Sequence, residues 1–275
     1  MKPKTNALLT TIALVLIFIF AQVMSQMVVV AWQAVEAADE GRQLDATVIT
    51  DNPQWTGTAM LVGYVVLCIL LWGTKLIRRN LLPKCTPPMP RRWGWTLVAF
   101  FAIAFAMSFI ADPLALDDGG SGKLFEAMKS DPACLALLVS VGPLTEELVF
   151  REGILRTLTH GGFSPTTALI TSALLFAVVH GNLAQALPAF TLGILLGILY
   201  QHTGDIRLSL IAHVLNNGIA VIGLHFPQLQ EATDTFPPLA SLACGTILAA
   251  AGSGLLWWSS RHNANEAPKT EELQT

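Results

Sequence analysis

The sequence predicts an all-α membrane protein, a bundle of about eight transmembrane helices with both termini on the cytoplasmic side. Three observations predict it. Only 13% of the 275 residues are charged while 53% are hydrophobic, whereas a soluble domain carries roughly 25% charged residues. Apolar runs approaching the ~20 residues that a membrane crossing needs recur along the chain. The basic residues gather between alternate runs, as the positive-inside rule requires.

The runs are Ala7–Trp32, Thr56–Ile77, Trp93–Ile110, Pro132–Thr157, Pro165–His180, Gln185–Tyr200, Leu208–His225 and Leu239–Ser259. The fifth and sixth are short and carry polar residues, which in a span must face protein or a watery cavity. With the N-terminus inside, the inner segments hold Lys2, Lys4, Lys75, Arg78, Arg79, Lys84, Arg91, Arg92, Arg156, Arg207, Arg261 and Lys269. The acidic outer loops 33–55, 111–131 and 226–238 hold only Arg42, Lys123 and Lys129, and Arg151 is left inside a span.

Lys2 and Lys4 ahead of the first run resemble the start of a signal peptide. The run is too long for that and no small-x-small site follows it, so it is expected to remain as an uncleaved anchor. Pro83–Arg92 reads as a basic cytoplasmic loop, and the polar tail from Arg261 as disordered. The chain thus divides into N-terminal helices and loops (1–131), a functional core (132–225), and a last helix with its tail (226–275). A net charge of −3 is too small to suggest a nucleic-acid partner. Cys68, Cys85, Cys134 and Cys244 show neither disulfide nor metal spacing and read as inert thiols, three of them in apolar runs.

Chemistry enters at Thr145-Glu146-Glu147-Leu148-Val149-Phe150-Arg151-Glu152. Each carboxylate within an apolar helix costs about 2.5–3.5 kcal/mol on insertion scales. Adjacent residues point about 100° apart, so the two glutamates take different roles. Glu147 and Arg151 stand i, i+4 in the favourable order for an ion pair, which leaves Glu146 without a local cation and makes it the catalytic candidate. Glu152 and Arg156 repeat the spacing near the cytoplasmic end and read as a surface salt bridge.

Phe176 and His180 share a helix face, as do His213 and Asn217. The run Phe190-x-x-Gly193-x-x-x-Gly197-x-x-Tyr200 reads as a helix-packing face, since small residues four apart let helices approach closely. A carboxylate, two histidines and an amide on three spans can attack an amide carbonyl in either of two ways. Glutamate and histidine can polarise a water while imidazole and amide stabilise the oxyanion. Alternatively Glu146, His180 and His213 can bind Zn²⁺ with a water in the open position. One geometric difficulty stands: a turn near His160 sets Glu146 opposite Ser172–Leu175, at least a turn short of His180.

From about Leu138 to Ala220 these motifs resemble the CPBP intramembrane proteases, also called the CAAX-protease and bacteriocin-processing or Abi family. The resemblance rests on Glu146-Glu147-x-x-x-Arg151, Phe176-x-x-x-His180, the glycine-spaced helix at Phe190, Gly193, Gly197 and Tyr200, and His213-x-x-x-Asn217, in the family's order. It implies a helical bundle with a cavity open to the cytoplasm, Glu146 with His180 activating a water, and His213 with Asn217 stabilising the oxyanion. Glu147, Arg151 and Phe176 would support them. The family was first described as metalloproteases, and a glutamate scheme without a required metal is now favoured. The expected partners are membrane lipids and a membrane-associated peptide or protein substrate, and a compact chain with basic inner loops fits a bacterial inner membrane.

Two other classes compete with an endopeptidase. A non-proteolytic binding protein, such as a bacteriocin-immunity factor or a regulator of a membrane partner, would keep the polar cluster for recognition and tolerate Glu146→Gln. A proton-coupled transporter also uses intramembrane Glu and His, but the chain lacks two related halves.

Overall fold

Within a bilayer every backbone N–H and C=O needs a partner in its own segment, so the apolar runs must be helices. The structure, a computed structural model, describes residues 3–41, 43, 52–78, 93–226, 228 and 236–266, without the side chains of 93 and 260–266. The helices are α1 (Pro3–Asp39), α2 (Pro53–Thr74), α3 (Trp93–Ala111), the short α4 (Ser121–Met128), α5 (Pro132–His160), α6 (Pro165–Val178), α7 (Leu183–Thr203), α8 (Ile206–His225) and α9 (Pro238–Glu266). Among the described residues, all except α4 and α6 are long and apolar enough to cross a membrane, seven in total. The chain is a multi-pass membrane protein.

Two expectations change. The fifth run makes a helix that stops at Val178, so His180 lies in the turn beyond it. The last helix continues past Arg261 to Glu266, where a disordered tail was expected. Pro83–Arg92, Cys85, the residues after 266, residues 42 and 44–51 of the loop 33–55 and most of the loop 226–238 lie outside the described residues. Cys68, Cys134 and Cys244 are free thiols, but only Cys134 is buried.

The described helices form two units. In one, α3 and α9 run antiparallel, with Gly245 and Gly252 seated against Ala106 and Ala99 and a Thr96–Ser259 hydroxyl contact at 3.1 Å. The other unit, of α1, α2 and α4 to α8, carries every candidate site residue. Its core joins Leu14 and Phe18 of α1, Leu67 and Leu71 of α2, and Phe150, Ile154 and Leu155 of α5. Phe150 meets Phe18 and Phe176 edge-on, at 5.6 and 5.2 Å between ring centres, a favoured aromatic geometry.

Local signals set the helix starts around the site. Pro165 opens α6 behind Ser164, whose hydroxyl accepts the Thr167 N–H at 3.1 Å. The Asn182 and Asp205 side chains accept the Gln185 and Arg207 N–H groups at the starts of α7 and α8. These caps satisfy N–H groups that the helix itself cannot. Close packing of α6 on α7 follows from Gly193, where an added Cβ would stand 3.0 Å from the Ala173 Cα, and from Gly197, which touches Leu169. The glycine-spaced run is therefore a packing face.

Candidate active site

The site is built on α5, and α5 is distorted there. Its backbone widens into π-helical turns over Leu137–Val141 and Leu148–Leu155, leaving ordinary α-helix only over Gly142–Glu147 between them. Such turns are rare and favour functional sites. Glu146 and Glu147 sit at the end of the short regular segment, between the two widened stretches.

The register of α5 against α6 is set by Ser172, whose hydroxyl donates to the Phe150 carbonyl at 2.7 Å. Counting one turn from each places Phe176 opposite Glu146. This is one residue beyond the expected range Ser172–Leu175, with the chain reversing over residues 161–164. His180 still lies one turn further on. What joins it to the site is the Phe176 ring, which meets His180 at 4.9 Å and His213 at 5.8 Å between ring centres.

The two glutamates occupy different environments. Glu147 is fully buried, with Oε1 3.0 Å from His213 Nδ1 and Oε2 3.3 Å from Arg151 Nε. Arg151 is equally buried and makes no hydrogen bond among the described residues; charge and the Phe176 ring, 4.8 Å from its guanidinium carbon, hold it. Glu146 keeps 23% of its side chain accessible, and its Oε2 stands 3.6 Å from His213 Nε2. His213 thus bridges an inaccessible acid and a reachable one. On the same face of α8, the Asn217 amide donates to the Leu138 carbonyl in the first widened stretch, at 3.1 Å.

Glu146, Glu147, Arg151, Phe176 and His213 therefore come together, His180 joins through an aromatic contact, and Asn217 braces α8 against α5. His180 Nδ1 lies 2.7 Å from the Phe176 carbonyl, so this nitrogen is the donor and Nε2 is left as the free acceptor. As for zinc, no three His, Cys, Asp or Glu side chains converge as ligands among the described residues. Glu146, His180 and His213 do not fit an ion in this arrangement.

A second polar group is not the surface ion pair expected. Glu152 is fully buried. Arg78 binds both its oxygens at 2.8 and 3.1 Å, the Tyr200 hydroxyl donates to it at 2.7 Å, and Arg156 stands 3.6 Å away. Spacing along α5 could reveal only Arg156, since Arg78 comes from beyond α2 and Tyr200 from α7.

Comparison with known proteins bears on the same helices. The family described as Rce1-like, type II CAAX prenyl endopeptidase, matches residues 129–219, from just before α5 to within α8. This segment is similar to the core of the CPBP family. MroQ of Staphylococcus aureus (strain USA300), named a membrane-embedded CAAX protease, is 24% identical over 207 residues, covering 66% of this chain and 83% of MroQ. YdiL of Bacillus subtilis (strain 168), whose name places it among membrane peptidases, is 25% identical over 137 residues, 46% of this chain and 54% of YdiL. YpbD of the same organism is 28% identical over 119 residues, 42% of this chain and 58% of YpbD. The match therefore spans little more than half of the two Bacillus proteins. No solved structure matches the chain significantly. Every motif that marks the CPBP core lies within the matched segment.

Proposed function

We propose that this protein is an intramembrane endopeptidase that hydrolyses a peptide bond in a membrane-associated protein or peptide. The observation that carries this reading is the asymmetry of the glutamate pair: Glu147 is sealed in with Arg151 and His213, while Glu146 remains accessible beside the other face of the same imidazole. A buried, paired acid holds a ring in place. A reachable acid can meet a water.

In this scheme the Glu146 carboxylate takes a proton from water as the water oxygen attacks the carbonyl carbon. His180, with Nε2 free, accepts a hydrogen bond that orients that water. His213 and Asn217 face the oxyanion. Glu146 then returns its proton to the departing amine nitrogen as the C–N bond breaks. General base catalysis contributes about 10²–10⁴-fold and each oxyanion donor about 10²–10³-fold. The reading needs no metal, and cleavage should persist in excess chelator with no zinc co-purifying. The bundle is placed in a bacterial plasma membrane with both termini cytoplasmic, in line with the Lys and Arg distribution and with relatives from Bacillus and Staphylococcus.

The test is comparative membrane proteomics of cells carrying the wild type or Glu146→Gln, with both proteins at equal level in the membrane. A fragment should be present with the wild type and absent with the variant. Identical fragment patterns would sink the hydrolase reading and favour a binding role.

A further inference from the structure

Tyr64 lies at the middle of α2, a helix of 22 residues, far from the membrane surfaces where tyrosines usually gather. Its side chain is buried, and a Cβ added to Gly142 would stand 2.9 Å from its hydroxyl oxygen. Gly142 and Glu146 are four residues apart on the regular α-helical part of α5, so they share a face. The Tyr64 hydroxyl therefore lies beside the helix face that presents Glu146, within its electrostatic reach.

That hydroxyl has no hydrogen bond to any described residue. It is not among the sealed polar atoms that lack a partner, so it opens on accessible space. The other candidate donors are at least partly engaged, His213 with Glu147 and Asn217 with the Leu138 carbonyl. A buried phenol donor without an acceptor in the protein is suited to an acceptor that arrives with the substrate.

We propose that Tyr64 is a further catalytic residue, donating its O–H hydrogen bond to the carbonyl oxygen of the scissile peptide as negative charge develops there. Tyr64 keeps its proton throughout; the water's proton goes to Glu146 and then to the leaving amine. Gly142 is the position whose missing side chain lets the phenol reach this place. The role rests on the endopeptidase reading above.

The test uses the full-length protein in proteoliposomes and a fluorogenic peptide spanning the junction found in the wild type against Glu146→Gln comparison. Tyr64→Phe removes one oxygen and keeps the ring. Its kcat should fall about 10²–10³-fold, the loss typical of one oxyanion donor, with KM and melting temperature near wild type. Gly142→Ala, which pushes a methyl group against the hydroxyl, should lower kcat in the same direction. Wild-type kcat in Tyr64→Phe, alongside an inactive Glu146→Gln, overturns the role of Tyr64 and leaves the endopeptidase reading intact. A fall confined to melting temperature or KM also overturns it. If no junction is found, both readings fail together.

Discussion

His213 Nδ1 stands 3.0 Å from Glu147 Oε1, and the opposite nitrogen of the ring faces Glu146 at 3.6 Å. Which hydrogen bond one imidazole nitrogen makes sets what the other can do. Glu147 is therefore the orienting partner of the ring that Glu146 meets, and Arg151 is the countercharge that lets Glu147 stay buried.

Removing either partner of that buried pair should be severe. Arg151→Met leaves a carboxylate with its main countercharge gone, and loss of one partner typically costs about 3–5 kcal/mol. The double variant Glu147→Gln/Arg151→Met removes both charges and should regain much of the stability of the single variants. It should not regain cleavage, because His213 has lost its anionic partner. Thermal unfolding of the four proteins in one detergent, with proteolysis measured in parallel, gives the coupling. Stability and activity recovering together would refute the orienting role.

The Glu152 group makes a separate prediction. A hydrogen bond to a charged acceptor contributes about 1.5–3 kcal/mol, and Tyr200 donates one to a fully buried carboxylate. Tyr200→Phe should therefore lower stability by about that amount while cleavage per folded molecule stays near wild type. A kcat loss at unchanged stability would instead tie this group to catalysis.

Most spans were legible because twenty apolar residues have few alternatives in lipid. The Glu147–Arg151 pair was legible for the same kind of reason, since both residues lie within one helical turn. Three features were not. The π-turns of α5 leave no periodic mark in the sequence. The second partner of Glu147, His213, is 66 residues away on α8, and spacing says nothing about that. Tyr64 has no charge or motif around it in the sequence; only its central position in an apolar run sets it apart from an interfacial tyrosine.

Outside the spans, Asp118 closes the turn ahead of α4. The Gly120 and Gly122 N–H groups, each 2.9 Å from its carboxylate, hold its pKa below the ordinary value. A depressed carboxylate pKa contributes stability above the ordinary value of about 4, lost as pH falls through the lower folded value. Amide exchange at Gly120 and Gly122, corrected for the intrinsic pH dependence, should lose protection over that acidic window. Asp118→Asn should show reduced protection at neutral pH and no such transition. An unchanged acidic transition in Asp118→Asn would show that another group is responsible.

The α6–α7 contact predicts a ranking that sequence spacing cannot. Gly193 and Gly197 look equivalent in the chain, but an added Cβ at 193 meets the Ala173 backbone, while at 197 it meets the flexible end of Leu169. Backbone cannot yield without moving α6, which carries Phe176 and leads into His180, whereas a leucine can change rotamer. Overpacking a tight contact costs about 1–3 kcal/mol. Gly193→Ala should lie in that range and lower cleavage by displacing the end of α6. Gly197→Ala should cost less and leave kcat nearly unchanged. Melting temperatures and initial rates for the two variants decide it, and equal losses in both would mean that the helices separate as rigid bodies.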